Sequence, residues 1–280
     1  MGAQRSRMAA LHNVLAFCKR VCMCTLALYL RQFEHYPLVI AANRDEHFSR
    51  PSAAPQILLE EPMVFGGKDL VAGGTWLGVN EHGVVAGIVN RRVKAANPTH
   101  RPRSRGLLCL DMLRAENPAQ ARALLDREHA ARYQPFLLLL ASVEGAFVAF
   151  NSNKIDRIDL DAGIHVFSNT SFSDSKGGKL DHARELFSAA ARSLRTPLRR
   201  SPVQLDSAVK VLHHVLSDHA PVNNSHEPRN SICVHASGDY GTVSSSIIFY
   251  AAVEKEFHFY HAAGAPCRVN YEALAPMKLA

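Results

Sequence analysis

The chain has 280 residues, of which 47% are hydrophobic and 20% are charged, a composition that excludes an intrinsically disordered or fibrous protein. It contains no run of about 18 uninterrupted apolar residues, so we expect no membrane-spanning helix and no stable membrane insertion. The net charge of +7 falls to +3 when residues 1–22 are set aside, which argues against nucleic acid as a partner.

The first 22 residues differ in composition from the rest of the chain. They carry four basic residues and no acid, and His12 and Asn13 interrupt their apolar stretch, so they do not fit a secretory signal. An organelle-targeting segment and a translation start at Met23 are the two alternatives. In both cases we expect residues 1–22 to be absent from the mature protein and residues 23–280 to form a single domain. The expected location is the cytoplasm, unless the segment directs the chain to an organelle.

Alternating apolar residues and turn residues predict a strand-rich chain in which pairs of helices separate groups of strands. Strands are predicted over residues 24–30, 38–42, 75–79, 84–90, 136–141, 146–150, 155–160, 164–168, 232–235, 242–253 and 256–261, with a proline-containing loop over 51–62. Helices are predicted over 104–114, 117–128, 180–194 and 205–216, the last after a start at Ser201-Pro202. This order predicts an α+β fold in which two packed sheets are covered by helices.

Cys24 is the first candidate for chemistry, because removal of Met23 would make it residue one. A free α-amino group, with a pKa of about 7.7 to 8.0, could then accept the thiol proton of the same residue. The alternative is that Cys24 is a small buried hydrophobe at the start of a strand.

Polar residues at the predicted strand ends extend this hypothesis. Arg44 beside Cys24 would lower the thiol pKa, and Asp45 would orient the amine or the arginine. Asn90 and Asn169 each end a strand and could donate to a developing oxyanion. The alternatives are a solvated charge cluster and asparagines that cap turns.

A basic run directly follows Asn90. Six basic residues lie within 15 positions without an acid: Arg91, Arg92, Lys94, Arg101, Arg103 and Arg105. The run could attract an anion such as a haem propionate or a CoA phosphate, or it could be a solvated loop.

Several longer motifs make the chain similar to a known family. They are MCTLAL at 23–28, AANRDE at 41–46 with Arg50-Pro51, GGTWLGVN at 73–80, SRG at 104–106, SNT at 168–170 and YGTVSSS at 240–246. Over residues 23–270 they resemble the NRDE family, the transport-and-Golgi-organisation protein family. That family is similar to the N-terminal-nucleophile hydrolases, which implies a four-layer αββα sandwich of two antiparallel sheets.

The resemblance also implies roles for single residues. Cys24 would be the nucleophile, Arg44 and Asp45 its polarising pair, and Asn90 and Asn169 the oxyanion donors. Ligand contacts are expected at Asn43, Trp76, Arg91 and Arg92. One departure argues against an efficient amidase, because related acylases use a further arginine late in the chain and residues 240–249 contain none.

The family is associated with secretion and Golgi organisation, with lipid or acyl-CoA metabolism and with haem movement. The resemblance therefore implies a protein that handles haem or an acyl or lipid-type ligand in a hydrolase-like pocket, in haem trafficking or lipid homeostasis. The alternative is a cysteine hydrolase of amide or thioester bonds, and a scaffold role ranks third. No cofactor and no metal are expected to be required, and haem is expected only as a ligand.

Histidines and cysteines late in the chain are the candidate axial ligands for haem. Cys233 and His235 would share one face of a predicted strand, whereas His258 and His261 would not. His213, His214 and His219 lie on or just beyond a predicted helix. The CxxCH motif of covalently attached haem is absent.

Overall fold

The computed structural model describes residues 24–91, 102–169, 178–199, 205–220, 231–236 and 238–280. Within these residues, fourteen strands form two antiparallel sheets, and four α-helices accompany them. The strands are β1 (Thr25–Leu30), β2 (Leu38–His47), β3 (Ser52–Glu60), β4 (Met63–Asp69), β5 (Leu77–Asn80), β6 (Val85–Asn90), β7 (Phe136–Ala141), β8 (Ala146–Asn151), β9 (Ile155–Leu160), β10 (Gly163–Ser168), β11 (Tyr240–Ala251), β12 (Glu256–Ala262), β13 (Glu272–Ala273) and β14 (Met277–Lys278). The helices are α1 (Arg105–Met112), α2 (Pro118–Leu125), α3 (Lys179–Arg199) and α4 (Leu205–Leu216).

The first sheet has the strand order β10-β1-β2-β11-β12-β13, and β14 also pairs with β12. The second sheet runs β3-β4-β5-β6-β7-β8-β9 in chain order. In the first sheet Thr25 lies opposite Asn43 of β2 and opposite Ser168 of β10. The start of β1 therefore lies between these two strands.

Alternation along each strand builds the layers, because successive side chains point to opposite faces of a sheet. Leu26 and Leu28 of β1 pack between the two sheets, whereas Ala27 and Tyr29 face the layer of α3 and α4. Helices α1 and α2 cover the outer face of the second sheet, where Leu108 packs in the same cluster as the β7 residues. The predicted four-layer αββα arrangement is confirmed.

Most predicted elements are confirmed with ends shifted by a few residues, but the predicted length of β2 was wrong. It was predicted to end at residue 42, and it extends to His47. The extra residues pair with β11, in which Thr242 lies opposite Asp45 and Ser244 opposite Arg44. Pairing with β11 overrides the strand-ending tendency of polar residues.

The loop predicted over residues 51–62 was also wrong, because most of it forms β3. Strand β3 is an edge strand of the second sheet, and the register shifts between Ala53 and Gln56. An edge position with an irregularity tolerates Pro55, which cannot donate to a ladder. Pro55 therefore lies in an edge strand and not in a loop.

The strand predicted over residues 232–235 does not form, and only an isolated bridge joins His235 to Gly241. The Cys233 amide donates to the carbonyl of Asp218 beyond α4 instead. Strand β4 and the two-residue strands β13 and β14 were not predicted. The 1–22 segment and the start at Ser201-Pro202 lie outside the described residues. None of the helices among the described residues is long and apolar enough to cross a membrane.

Candidate functional site

A cavity of about 260 Å³ opens where β1 begins and β6 ends. Its lining comes from the end of β2, the turn before β5 and the start of α1, and is mostly polar or charged. The lining includes Cys24, Arg44, Asp45, Glu46, His47, Arg50, Asp69, Thr75, Trp76, Asn90, Ser104 and Arg105. Five predicted site residues, Cys24, Arg44, Asp45, Trp76 and Asn90, are thus brought together.

Cys24 is half-buried, and its thiol lies 3.8 Å from the backbone carbonyl oxygen of Asp45. Burial raises the pKa of the Cys24 thiol to about 12, and the Asp45 carboxylate acts in the same direction. The charge of Arg44 lowers this pKa, as expected, but its effect is smaller. The thiol is therefore neutral at pH 7 and needs a base before it can act as a nucleophile.

Arg44 lies between the two sheets and is 6% exposed. Its guanidinium carbon stands 4.5 Å from the ring centroid of Trp76, close enough for a cation–π contact. Nη1 donates to the Ser52 hydroxyl over 3.4 Å, and Nη2 lies 4.0 Å from Glu46. The Trp76 ring has room because residue 67 is glycine, where a Cβ atom would come within 2.3 Å of it. This contact connects β2 to the second sheet beside the thiol.

Asp45 forms the most deeply buried ionic contact of the site. Its Oδ1 accepts a 2.6 Å hydrogen bond from Thr242, and its Oδ2 lies 3.6 Å from the Lys179 ammonium at the start of α3. Burial raises the pKa of the Asp45 carboxyl to about 7 and lowers the pKa of Lys179.

Lys179 was missed from the sequence. A single lysine at the start of an amphipathic helix is typical of a solvent-exposed position, yet this one is 3% exposed. The signal that could have indicated it is the buried Asp45, which needs a cationic partner.

The two predicted oxyanion donors differ in their surroundings. Asn90 is half-buried and lines the cavity. Asn169 is fully buried, and neither its side-chain oxygen nor its nitrogen has a hydrogen-bond partner among the described residues. Because Thr25 pairs with Ser168, continuing the register by one residue brings Asn169 opposite Cys24. An unpartnered buried amide is costly for folding, which makes Asn169 a candidate donor to a bound group.

Two predicted ligand contacts, Asn43 and Arg91, do not line the cavity. Asn43 faces the helix layer, where its Nδ2 donates to the carbonyls of Leu216 and Ile232 over 2.8 and 3.0 Å. Arg91 donates to the Asn151 carbonyl over 3.1 Å and stacks over Phe150. Arg92 lies outside the described residues.

The basic run divides into residues with different surroundings. Arg103 is bound to Asp111 over 2.6 Å and to the Tyr133 hydroxyl over 2.8 Å. Arg105 lines the cavity while donating to the carbonyl of Pro135 over 3.0 Å. Lys94 and Arg101 lie outside the described residues. Only Arg105 is thus placed at the cavity among the members that the structure describes.

An acidic and basic network that the sequence did not predict completes the cavity wall. Arg50 lies 2.6 Å from Asp69 and 3.9 Å from Glu46. Although burial acts to raise it, the pKa of Asp69 is lowered by the hydrogen bond from Arg50 and by backbone amides. The cavity therefore carries fixed charges of both signs.

The histidines considered as haem ligands are engaged with protein groups. His213 bonds to the carbonyl of Pro266 over 2.8 Å, and His258 lies 3.3 Å from Glu256. His261 is buried against the Ser246 hydroxyl, and burial lowers its pKa to about 4. None of these three lines the cavity.

Residues 23–262 match the family model described as Transport and Golgi organisation 2. The chain belongs to this family. Its members include the Transport and Golgi organization protein 2 homolog of Bos taurus, 27% identical over 233 residues, which are 78% of this chain and 83% of that protein. The Homo sapiens homolog is 28% identical over 236 residues, with the same shares. The resemblance found in the NRDE-type motifs is confirmed.

Two solved structures share the fold of this Transport and Golgi organisation 2 family member. An N-acylethanolamine-hydrolyzing acid amidase ortholog from Caenorhabditis elegans has a TM-score of 0.50 and 14% identity, over 80% of this chain and 92% of that one. A mutant conjugated bile acid hydrolase from Clostridium perfringens has a TM-score of 0.51 and 11% identity, over 90% and 92%. At these identities the comparison establishes the N-terminal-nucleophile hydrolase fold.

Proposed function

We propose that this chain binds an acyl-type ligand in the cavity and that Cys24, once it is residue one, attacks an amide or thioester carbonyl. The observation that carries the proposal is the fully buried amide of Asn169, which has no hydrogen-bond partner among the described residues and which the strand register places opposite Cys24. Asn90 supplies an amide that lines the cavity, whereas Asn169 is not among the lining residues. Amide donors that are held in place before the reaction stabilise the negatively charged oxygen of a tetrahedral intermediate.

The thiol chemistry depends on the amino group of the same residue. A free amine takes the thiol proton, and the thiolate forms a bond to the carbonyl carbon while the amides bind the oxyanion. Collapse of this intermediate releases an amine or a thiol, which takes the proton from the ammonium group. Water then hydrolyses the acyl-thioester and restores the thiol. While Met23 is attached, the Cys24 nitrogen is an amide and cannot accept the proton.

The solved relatives of this fold support a hydrolytic reaction, since their names describe an acid amidase that hydrolyses N-acylethanolamine and a conjugated bile acid hydrolase. The test is turnover after a protease site placed before Cys24 has been cleaved in the folded protein. Palmitoyl-CoA and an N-acyl amide are the probes, and released thiol or amine is measured. We expect turnover by the cleaved protein, a large loss in Cys24→Ser and none in Cys24→Ala. Equal turnover by Cys24→Ala would overturn the proposal.

A second candidate function is binding without turnover, as in haem trafficking or lipid homeostasis. The observation in its favour is a cavity in which Arg44 and Arg105 accompany the Trp76 ring, a combination that suits an anionic group on an apolar body. The volume of about 260 Å³ lies below the usual range of about 300–1,000 Å³ for ligand pockets. The cavity would therefore hold the polar end of haem or of an acyl-CoA. Titration with haem, followed by absorbance, should then give equal affinity in wild type and Cys24→Ala.

Arg103 and Arg105 provide a matched pair for testing anion binding. Arg105→Ser should weaken binding of an acyl-CoA and flatten its dependence on salt, because one cavity charge is lost. Arg103→Ser should leave binding unchanged, because Asp111 and Tyr133 hold that side chain. Equal affinities of both variants and wild type at low salt would contradict a role for the basic run.

The compartment is a separate proposal. The family match covers residues 23–262. We propose that residues 23–280 act in the cytoplasm and that any organelle delivery depends on residues 1–22. Imaging of tagged chains with and without these residues tests this. Organelle delivery of the shorter chain would contradict it.

A further inference from the structure

A second cluster of reactive side chains lies away from the cavity. His219, Cys233, His235 and Cys267 each offer one nitrogen or sulfur atom, and these four atoms lie within 4.8 Å of one another. They come from three segments: the residues after α4, the segment 231–236 and the turn after β12. Cys233 is buried, His235 is half-buried, and His219 and Cys267 are exposed.

The distances among three of the four groups are close to those of a tetrahedral metal site. The two sulfurs of Cys233 and Cys267 are 3.7 Å apart, and the Nε2 of His235 is 3.8 Å from one and 3.0 Å from the other. Around a tetrahedral zinc ion, the usual bond lengths give separations of about 3.8 Å between two sulfurs and about 3.6 Å between sulfur and nitrogen. The sulfur–sulfur separation already matches these values, and binding an ion would lengthen the separation between the Nε2 of His235 and the sulfur of Cys267 by about 0.6 Å.

A neighbouring hydrogen bond already orients one of the ligands. The Nδ1 of His219 lies 3.0 Å from the backbone carbonyl of Cys233, an arrangement in which Nδ1 donates and Nε2 keeps its lone pair. Metal-bound histidines usually donate their second ring nitrogen to a carbonyl or carboxylate in this way. His219 and His235 also pack ring against ring, with centroids 4.8 Å apart.

The ligand set itself selects the class of metal. Two thiolates and two imidazoles in tetrahedral array are typical of structural zinc, whereas Mg²⁺ and Ca²⁺ prefer oxygen ligands. With four protein ligands there is no open position for a substrate, which is typical of a structural and not a catalytic site. The sulfur separation of 3.7 Å is far longer than the bond of about 2.05 Å in a disulfide.

The cluster is connected to the candidate active site through short hydrogen bonds. Val234, between the two ligands of its segment, exchanges backbone and hydroxyl hydrogen bonds with Thr242, which donates to Asp45. Ile232, one residue before Cys233, accepts from the buried Asn43 of β2. An ion here would fix the 231–236 segment against β2, which carries Asp45, and β11, which carries Thr242.

We propose that His219, Cys233, His235 and Cys267 bind one structural Zn²⁺ ion that holds α4, the 231–236 segment and the turn after β12 together. Binding replaces the two thiol protons, which leave to solvent, so the affinity falls at acid pH. No electrons are transferred in this step.

The test uses the full chain, purified under reducing conditions, stripped with a chelator and titrated with Zn²⁺ and with Co²⁺. We expect one metal per chain, the visible absorption of tetrahedral thiolate-bound Co²⁺, and a melting temperature that rises with Zn²⁺. Cys267→Ser and His219→Gln change exposed residues and should remove the Co²⁺ spectrum while the chain stays folded. Cys109→Ala, which changes a buried cysteine in another core cluster, is the matched control and should keep the spectrum.

Three outcomes would overturn the zinc proposal. The first is a Co²⁺ spectrum that is unchanged in Cys267→Ser and His219→Gln. The second is no metal uptake by the reduced wild-type chain. The third is protein from its native host in which Cys233 and Cys267 form a disulfide, detected by peptide mass after alkylation. None of these readouts depends on turnover at Cys24, so failure here and failure of the hydrolase proposal are distinguishable.

Discussion

Asp45 and Lys179 form an ion pair with 3.6 Å between Oδ2 and Nζ, and their side chains are 0% and 1% exposed. The pair joins the strand beside Cys24 to the first turn of α3. Burying two charges is costly, and removing one partner leaves the other uncompensated. The position of this pair next to the thiol therefore has consequences for both stability and chemistry.

The first prediction is a double-mutant cycle on this pair. Above about pH 7, where the Asp45 carboxyl is ionised, Asp45→Asn and Lys179→Met should each lower the free energy of unfolding by about 3 to 5 kcal/mol, because each leaves one buried charge unpaired. The double variant should be much closer to wild type than the sum of the two. Urea unfolding measures this, and the exposed pair of Asp181 and Arg184 is the control, at about 1 kcal/mol or less. Additive single effects would contradict the pairing.

The second prediction concerns pH. Burial raises the pKa of the folded Asp45 carboxyl to about 7, whereas an unfolded aspartate ionises near about 3.9. The folded chain then holds a proton that the unfolded chain has lost, so this contribution to stability is present below about pH 4 and is lost as pH rises through about 7. The stability of wild type relative to the Asp45→Asn/Lys179→Met double variant should fall across this window. If the stability of wild type relative to the double variant rises with pH instead, the folded Asp45 carboxyl has a lowered pKa.

The third prediction concerns Arg44. Its charge lowers the pKa of the Cys24 thiol against the larger effect of burial, so Arg44→Ala should slow alkylation of Cys24 near neutral pH. Arg91→Ala is the matched control, because Arg91 also stacks on an aromatic ring but does not line the cavity. Alkylation rates are followed against pH by mass. An unchanged rate in Arg44→Ala would mean that its charge does not act on the thiol.

The fourth prediction compares two buried asparagines. Asn169 has no partner among the described residues, so Asn169→Ala should leave stability unchanged or raise it, while lowering kcat by about 10² to 10³ with little change in KM. Asn80 donates to the carbonyls of Leu113 and Ala115 and accepts from two amides, so Asn80→Ala should destabilise the fold by a few kcal/mol at about 1 kcal/mol for each hydrogen bond. A large loss of stability in Asn169→Ala, with kcat intact, would assign Asn169 a structural role.

The layered architecture could be predicted from periodicity, because the apolar residues of β1 and of α3 are repeated at the spacing of a strand and a helix. The continuation of β2 through Asn43, Arg44 and Asp45 could not be predicted from periodicity. Polar residues in succession usually end a strand, and here Asn43 and Asp45 form hydrogen bonds with groups distant in the chain. Asn43 donates to Leu216, and Asp45 accepts from Thr242.

The candidate site could be predicted only in part, because some of its residues carry a signal in the local sequence and others do not. Cys24, Arg44 and Asp45 lie in recognisable motifs, Asn90 ends a predicted strand, and the fold brings all four to one cavity. Lys179 and Asp69 carry no local signal, since their roles depend on burial and on partners from other elements. The cluster of His219, Cys233 and Cys267 likewise joins three segments that no spacing rule connects.

The N-terminus of active protein from its native host, determined by intact mass and fragmentation, decides whether Cys24 is an N-terminal nucleophile. We expect a chain that begins at Cys24 and carries an acyl adduct on that residue after brief exposure to an acyl thioester. Protein that retains Met23, and turns over the same thioester at the full rate, would contradict the role of Cys24 as an N-terminal nucleophile.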